Sequence, residues 1–396
     1  MYNQKSYKLG ATGSAIRELF EYGKRRKLEI GEDNVFDFSL GNPSVPSPDI
    51  VQKTLIDLIE NVDATKLHGY TSASGDAFVK EAIAKYLNEK YQAKVDSNLI
   101  YMTCGAAASL TITLKALCNK DEEVIVFAPF FPEYKVFIEN ALGKVVVVGY
   151  QEETFLPDFD DFINKINQKT KCVIINSPNN PSGVVYNQKT IEKLTEILKE
   201  KELEFNHQIY LVSDEPYREL VYGDIVVPFI TKYYDDSIIC YSFSKSLSLP
   251  GERIGYILVS SSCNDTKGVF ASICGAGRSL GFVCAPALFQ MMVPKCLGYT
   301  SDIKIYEENR NLLYQELTSY GYDVVKPDGA FYMFVKALGN DALKFSELAK
   351  KYELLLVPSD SFGCSGYVRI SYCVSKKQVI NSLPAFKKLI NDYKEI

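Results

Sequence analysis

Histidine is nearly absent from this sequence and tryptophan is missing altogether: His68 and His207 are the only histidines in 396 residues. So few histidines argue against a His-ligated metal site and against a catalytic Ser-His-Asp triad. An excess of positive charge is missing as well, because 44 Lys and Arg face 49 Asp and Glu, for a net charge of −5. This balance gives no electrostatic reason to expect nucleic acid or an anionic membrane as a partner.

Long apolar runs and cysteine motifs are also missing. No segment approaches the roughly 18 consecutive apolar residues of a membrane-spanning helix, and the N-terminal residues contain no apolar signal core. The ten cysteines are scattered without a CxxC pair or zinc spacing, and several lie inside apolar runs. Such cysteines are typical of reduced core thiols, so the sequence predicts a cytoplasmic protein without a metal site.

The composition is that of a globular protein, with 46% hydrophobic and 23% charged residues, and the length favours about two domains. From about residue 75, short continuous apolar runs alternate with helix-like segments. Such runs indicate strands covered on both faces, as in the largely parallel sheet of an α/β fold. The runs lie at 99–103, 124–128, 145–149, 172–176, 209–213, 238–242 and 254–259.

The C-terminal quarter of the chain lacks this regular alternation and predicts a smaller α+β domain. We expect a large domain over residues 45–290 and a small domain formed by 1–44 together with 291–396. The C-terminal pattern consists of two helix-like segments, 303–320 and 376–393, and two strand-like runs, 329–335 and 367–371.

Chemically active side chains recur where the predicted strands end, which is where open α/β sheets bind their ligands. Lys245 closely follows Ser242 and Ser244, and Arg253 lies eight residues beyond Lys245. Two hydroxyls and a guanidinium suit a phosphate dianion. A lysine beside a phosphate site indicates a Schiff base with a phosphorylated aldehyde.

Two other strand ends suit the same kind of ligand. Gly105, followed by Ala106 and Ala107, joins a strand to a helix, so an anion can approach the free N–H groups of that helix. Asp214 ends an apolar strand, where a buried carboxylate needs a partner such as a pyridinium nitrogen. Tyr217 follows three residues later, within reach of a ring oxygen.

Two further motifs are less specific on their own. Asn180 lies in Asn176-Ser-Pro-Asn-Asn-Pro-Ser-Gly183, which is a turn by composition but is rich in side-chain amides. Phe131 lies in Pro129-Phe-Phe-Pro-Glu-Tyr134, which suits either a stacking platform or plain core.

In their order and spacing, these motifs resemble the pyridoxal-phosphate-dependent aminotransferases of fold type I, class I/II, over nearly the whole chain. The resemblance implies a seven-stranded, mostly parallel sheet and pyridoxal 5′-phosphate as cofactor. It also implies ping-pong transfer of the α-amino group of an L-amino acid to a 2-oxo acid through an aldimine on Lys245.

The resemblance implies a role for each matching residue. Lys245 would form the aldimine and shuttle a proton, Asp214 would keep the ring nitrogen protonated, and Arg369 would bind the substrate α-carboxylate. Tyr70 would reach the phosphate of the neighbouring subunit, which implies a homodimer with shared active sites. The remaining implied contacts are Tyr217 and Asn180 to the phenolic oxygen, Phe131 on the pyridine ring, Ala106, Ala107, Ser242, Ser244 and Arg253 around the phosphate, and Gly41 and Asn180 along the substrate.

The substrate range is where the chain departs from its relatives. One bacterial subgroup of aspartate aminotransferases has a lysine for the distal carboxylate at the position of Ala107. Arg278 lies 33 residues beyond Lys245, near where other aspartate aminotransferases place a side-chain-binding arginine, although an ordinary salt bridge would explain it equally well. We therefore expect 2-oxoglutarate to be used with aspartate or with neutral and aromatic donors.

Two other functions remain open at this point. A carbon–sulfur β-lyase with the same cofactor would share the lysine, aspartate and arginine, and would release pyruvate and ammonia from cysteine or cystathionine. A non-catalytic regulator that binds the cofactor would carry a DNA-binding domain ahead of this fold, and only 40 residues precede Gly41.

Overall fold

A computed structural model describes residues 2–11 and 13–394. The strands of its central sheet coincide with the apolar runs of the sequence, because those runs can be covered on both faces. The strands are β1 (Phe36–Asp37), β2 (Ile100–Thr103), β3 (Glu123–Phe127), β4 (Lys144–Val148), β5 (Thr170–Asn176), β6 (Tyr210–Asp214), β7 (Ser237–Ser242), β8 (Gly255–Val259), β9 (Tyr332–Lys336), β10 (Leu354–Leu355), β11 (Val357–Pro358) and β12 (Tyr367–Ser371).

The central sheet has seven strands in the order β2-β8-β7-β6-β5-β3-β4. Strand β8 runs antiparallel to both of its neighbours, and the other adjacent pairs are parallel. This confirms the predicted α/β fold with a mostly parallel, seven-stranded sheet. The carboxyl ends of β5, β6 and β7 therefore lie at one edge, which brings the residues that follow them together.

Helices cover both faces of the central sheet and complete the smaller C-terminal layer. Helix α6 begins directly after Gly105, and the predicted bounds of α13 agree with the structure. The helices are α1 (Gln4–Ala11), α2 (Ala15–Ile30), α3 (Asp49–Asn61), α4 (Ala64–Leu67), α5 (Ala77–Tyr91), α6 (Ala106–Leu117), α7 (Glu133–Asn140), α8 (Phe159–Lys165), α9 (Gln188–Phe205), α10 (Phe243–Ser246), α11 (Thr266–Leu280), α12 (Ala287–Cys296), α13 (Ile303–Tyr320), α14 (Ala342–Lys350) and α15 (Lys376–Lys394).

The C-terminal part forms a layer of its own. An antiparallel sheet in the order β11-β12-β9 packs with α13 and α15, and the N-terminal strand β1 pairs with β10. Phe38 belongs to the same buried cluster as Leu313 and Phe386, so the N-terminal segment packs with the C-terminal layer. These contacts support the division into 45–290 and 1–44 with 291–396, which stays a prediction.

One predicted strand begins later than expected. The run 329–335 was predicted as extended throughout, but β9 begins at Tyr332. Ala330 has a left-handed backbone with φ of 54°, which interrupts an extended strand. Within the described ranges, no helix combines the length and apolarity that a bilayer crossing requires.

Candidate active site

A cavity of about 260 Å³ opens at the carboxyl edge of the central sheet. Twelve of the side chains or backbone positions singled out from the sequence line it, although they come from distant parts of the chain. They are Gly41, Ala106, Ala107, Phe131, Asn180, Asp214, Tyr217, Ser242, Ser244, Lys245, Arg253 and Arg369.

One corner of the cavity collects hydrogen-bond donors. The hydroxyls of Ser242 and Ser244 lie 2.7 Å apart, next to the start of α6. Gly105 has a φ of 90°, and a Cβ at this position would lie 3.0 Å from the guanidinium of Arg253. A larger residue would therefore push Arg253 away from the helix terminus. Two hydroxyls, a guanidinium and free helix N–H groups form a site for a dianion.

The buried carboxylate of Asp214 lies at the floor of the cavity. One of its oxygens accepts a hydrogen bond from the Tyr134 hydroxyl at 2.5 Å, and the other has no partner among the described residues. Burial raises the pKa of Asp214 to about 7, and the bond from Tyr134 opposes this shift only in part. An unpaired, buried carboxylate oxygen is suited to a cationic ligand atom.

Lys245 lies beside the cavity on the short helix α10, directly after β7. Its Nζ donates to the backbone carbonyl of Gly41 at 2.7 Å. Burial, together with the positive charges of Arg253 and Arg369, lowers the pKa of Lys245 to about 8. A substantial fraction of this amine is therefore neutral near pH 8, as a nucleophile requires.

Arg369 points into the cavity from β12 and is almost fully buried. Its Nη1 donates to the Asn180 side chain at 3.0 Å, and its Nη2 donates to the Ser39 carbonyl at 2.6 Å. The Nε atom has no partner among the described residues, and burial lowers the pKa of the guanidinium. A fixed guanidinium with unused donor capacity is suited to a carboxylate ligand.

The segment 38–41 is held against these cations along its backbone. Its four successive carbonyls accept hydrogen bonds from the Ser371 N–H at 3.0 Å, from Arg369, from the Cys373 thiol at 3.7 Å and from Lys245. The two cavity cations at Arg369 and Lys245 are therefore positioned by the same short segment.

Two residues predicted for the site lie elsewhere in this chain. The Tyr70 side chain is fully exposed, and Arg278 is an exposed residue in the last turn of α11 that lines a second cavity with Ser74 and Tyr101. Arg278 makes no ion pair within the described part of the chain. Hydrogen bonds tie the Tyr70 loop to the segment after α11, since the Cys284 N–H donates to the Ala73 carbonyl at 3.1 Å.

Some residues of the site were missed by the sequence analysis. Tyr134 ends the motif that begins at Pro129, and Tyr332 lies in the strand-like run 329–335, but nothing in the sequence marked either as different from a core aromatic residue. Their contacts depend on the tertiary fold. Four apolar side chains of the cavity wall were not predicted either, namely Ile16, Leu40, Leu110 and Phe137.

Comparison with known proteins agrees with this geometry. A family model described as "Aminotransferase class I and II" matches residues 33–385. Aspartate aminotransferase of Thermotoga maritima is 30% identical over 92% of this chain and 93% of its own. A probable aspartate/prephenate aminotransferase of Aquifex aeolicus is also 30% identical, over 93% and 94% of the two chains.

Solved structures show the same similarity. The crystal structure of an amino transferase from Eubacterium rectale has 53% sequence identity and a TM-score of 0.98, with 99% of both chains covered. The Thermotoga maritima enzyme superposes with a TM-score of 0.85 over 96% of this chain and 98% of its own. The family match over most of the chain and the relatives at 30% identity show that this chain belongs to the class I and II aminotransferases, enzymes that depend on pyridoxal phosphate.

Proposed function

We propose that Lys245 carries the cofactor and the transferred proton when this aminotransferase moves the amino group of an L-amino acid to a 2-oxo acid. The observation that carries the proposal is that one cavity brings together Lys245, Asp214 and Arg369 from three separate elements. An amine, an acid and a guanidinium in one cavity can bind and activate an amino acid on an aldehyde cofactor.

The cavity residues fit pyridoxal phosphate. Asp214 offers a buried oxygen without a partner among the described residues, as a protonated ring nitrogen would need. Ser242, Ser244 and Arg253 provide donors for the phosphate at the start of α6. Tyr217 and Phe131, which also line the cavity, would contact the phenolic oxygen and the ring face.

When bound, pyridoxal phosphate supplies an aldehyde carbon that bonds to amines and a ring that accepts electron density from a substrate α-carbon. Lys245 would hold pyridoxal phosphate through Nζ and move a proton at the same atom. Its lowered pKa favours the neutral amine that both roles require. Asp214 keeps the ring nitrogen protonated. Arg369 and Asn180 hold the substrate α-carboxylate beside Lys245.

The active unit is proposed to be a homodimer whose two sites are shared. The fully exposed Tyr70 supports this, because its side chain is not buried within one chain and is accessible to a second copy. A second copy would then bring Tyr70 to the phosphate corner.

The donor range is proposed to be broad, with 2-oxoglutarate as acceptor and aspartate or neutral and aromatic amino acids as donors. Three cations line the cavity within the described chain, namely Lys245, Arg253 and Arg369, and each has a proposed role already. A distal carboxylate would therefore need Arg278 from the second copy. The apolar wall suits an uncharged side chain.

A reducing compartment, and hence the cytoplasm, is proposed as the place of action. All ten cysteines are free thiols. Cys118 and Cys172 remain unlinked although their sulfurs lie 4.0 Å apart. Free thiols in such numbers are typical of cytoplasmic proteins.

The visible absorption of the purified protein tests the proposed function. We expect a yellow band that selected amino acids bleach and selected 2-oxo acids restore, which would identify both half-reactions and the donors. Release of pyruvate and ammonia from cysteine without need of a 2-oxo acid would instead indicate the β-lyase. A colourless protein that does not bind added pyridoxal phosphate would contradict the proposal.

A further inference from the structure

Tyr332 on β9 has been given no role so far, although it touches three groups of the active site. Its side chain is almost fully buried and lines the cavity. Its hydroxyl lies 2.9 Å from the hydroxyl of Tyr217, and its ring centre lies 4.7 Å from the guanidinium carbon of Arg369. The third contact is with Gly41, where an added Cβ would collide with the Tyr332 hydroxyl.

The contact with Tyr217 has a defined direction once the cofactor is bound. Tyr217 is proposed to contact the phenolic oxygen of the cofactor, and its hydroxyl would do so by donating a hydrogen bond to that oxygen. The hydroxyl–hydroxyl bond must then have Tyr332 as donor and the Tyr217 oxygen as acceptor. A hydroxyl that accepts one hydrogen bond becomes a stronger donor in the next, because the two bonds polarise each other.

The contact with Arg369 is a stack rather than a hydrogen bond. The guanidinium carbon lies 4.7 Å from the centre of the Tyr332 ring and 5.2 Å from the centre of the Phe362 ring. These two cation–π contacts restrict the orientation of the guanidinium in an environment with little water. Two of its nitrogens are held as well, by Asn180 and by the carbonyl of Ser39.

The contact with Gly41 connects Tyr332 to the lysine. The Gly41 carbonyl accepts the hydrogen bond from Lys245 Nζ, while the Gly41 α-carbon lies against the Tyr332 hydroxyl. The position is therefore restricted to glycine by Tyr332 itself. The Tyr332 side chain thus contacts Tyr217, Arg369 and Gly41. These residues are the proposed neighbours of the cofactor's phenolic oxygen, of the substrate carboxylate and of the reactive amine, respectively.

We propose that Tyr332 is a positioning residue that couples the carboxylate-binding Arg369 to the cofactor-binding Tyr217. Its hydroxyl strengthens the hydrogen bond that Tyr217 makes to the phenolic oxygen, and its ring holds Arg369 flat for the substrate. The inference rests on the proposed function, since it assigns Tyr217 to the cofactor.

Two substitutions separate the hydroxyl from the ring. Tyr332→Phe removes the hydroxyl and keeps the stack, whereas Tyr332→Leu removes both. The matched control is Tyr322→Phe, because Tyr322 is a buried tyrosine of the same core cluster whose hydroxyl donates to the Phe386 carbonyl at 2.9 Å. Melting temperatures of the three holoproteins show whether each variant folds.

The first measurement is the pH midpoint at which the visible absorption of the bound cofactor changes. A weaker hydrogen bond from Tyr217 leaves more negative charge on the phenolic oxygen, which stabilises the proton on the nitrogen joining the cofactor to Lys245. We therefore expect Tyr332→Phe to raise the midpoint by about half a pH unit. Tyr217→Phe should raise it further, and adding Tyr332→Phe to that variant should have no further effect.

The second measurement compares the change in KM for the amino donor with the change in kcat for each variant. Tyr332→Leu should raise the KM by roughly two- to fivefold more than Tyr332→Phe does, as expected for loss of a cation–π contact. The Tyr322→Phe control should leave both the midpoint and the KM at wild-type values.

The inference is overturned if Tyr332→Phe has the wild-type midpoint while Tyr217→Phe shifts it, or if the shifts of the two variants simply add. It is also overturned if the Tyr322→Phe control shifts the midpoint equally. Failure of the proposed function looks different, because the wild-type protein would then show no cofactor absorption to titrate.

Discussion

Replacing Asp214 with asparagine should stabilise the protein without cofactor and destabilise the protein with cofactor. In the absence of a ligand, one oxygen of this buried carboxylate has no partner among the described residues. Burial raises its pKa from 3.8 to about 7, so above pH 7 the fold contains a buried negative charge with incomplete compensation. Asparagine has nearly the same shape, can still accept the bond from Tyr134, and is uncharged.

The sign of the pH dependence follows from the raised pKa. Asp214 keeps its proton to a higher pH in the folded state than in the unfolded state. Its favourable contribution to the free energy of unfolding is therefore complete below pH 3.8 and is lost as the pH rises through about 7. Two pH units separate pH 5 from this pKa, and each unit corresponds to ~1.4 kcal/mol. The apoprotein should therefore lose roughly 3 kcal/mol of unfolding free energy between pH 5 and pH 8 through Asp214 alone.

Denaturant unfolding of the apoprotein at pH 5 and pH 8 measures this contribution. The unfolding free energy that Asp214→Asn gains over wild type at the same pH should be roughly 3 kcal/mol larger at pH 8 than at pH 5. With pyridoxal phosphate bound, the same substitution should lower the melting temperature, because the ring nitrogen then loses its charged partner. The matched control is Asp236→Asn, since Asp236 is equally buried but both of its oxygens accept hydrogen bonds from Asn264. It should lose stability at both pH values.

An Asp214→Asn apoprotein that is destabilised equally at pH 5 and pH 8 would refute this reasoning. So would a holoprotein that the substitution stabilises. Either result would mean that the cavity compensates the Asp214 charge without a cationic ligand.

Three further predictions concern the other site residues. Lys245→Ala should still bind pyridoxal phosphate through the phosphate corner, as equilibrium dialysis would show, but should lose at least ~10²–10⁴-fold in kcat in steady-state kinetics. A loss of cofactor binding as large as the loss of kcat would count against the proposed role of Lys245. Mixing inactive Tyr70→Ala and Lys245→Ala variants should restore part of the activity, because some mixed dimers keep one intact site, and a fully active monomer on a sizing column would disprove sharing. Arg278→Ala should reduce kcat/KM for aspartate at least ~10-fold more than for an aromatic donor, and equal effects would leave Arg278 structural.

The fold was largely predictable because its strands are continuous apolar runs. A strand covered on both faces has little freedom in composition, so all seven strands of the central sheet were visible in the sequence. Two-residue strands such as β1 and β10 were not predictable, because their pairing depends on contacts between residues more than 300 positions apart. The same holds for Ala330, whose left-handed backbone shortens β9.

The site was predictable where residue type and strand end coincide. Asp214 stood out because a carboxylate at the end of an apolar strand is costly to bury, and Lys245 stood out beside two hydroxyls and Arg253, whereas Arg369 was predicted only through the family resemblance. Tyr332 and Tyr134 did not, since a buried tyrosine in a strand or helix is ordinary and only its tertiary neighbours give it a role. Tyr70 and Arg278 could not be placed in a site from one chain, because their proposed partners lie on a second copy.

The central claim is that Lys245 is the residue that holds the cofactor. Borohydride reduction of the native holoprotein, followed by proteolysis and mass spectrometry, tests it directly, since reduction makes the bond between amine and aldehyde permanent. The account predicts a single phosphopyridoxyl label, on the peptide that contains Lys245, and no label on the Lys245→Ala variant. A label on any other lysine of the native protein would contradict it.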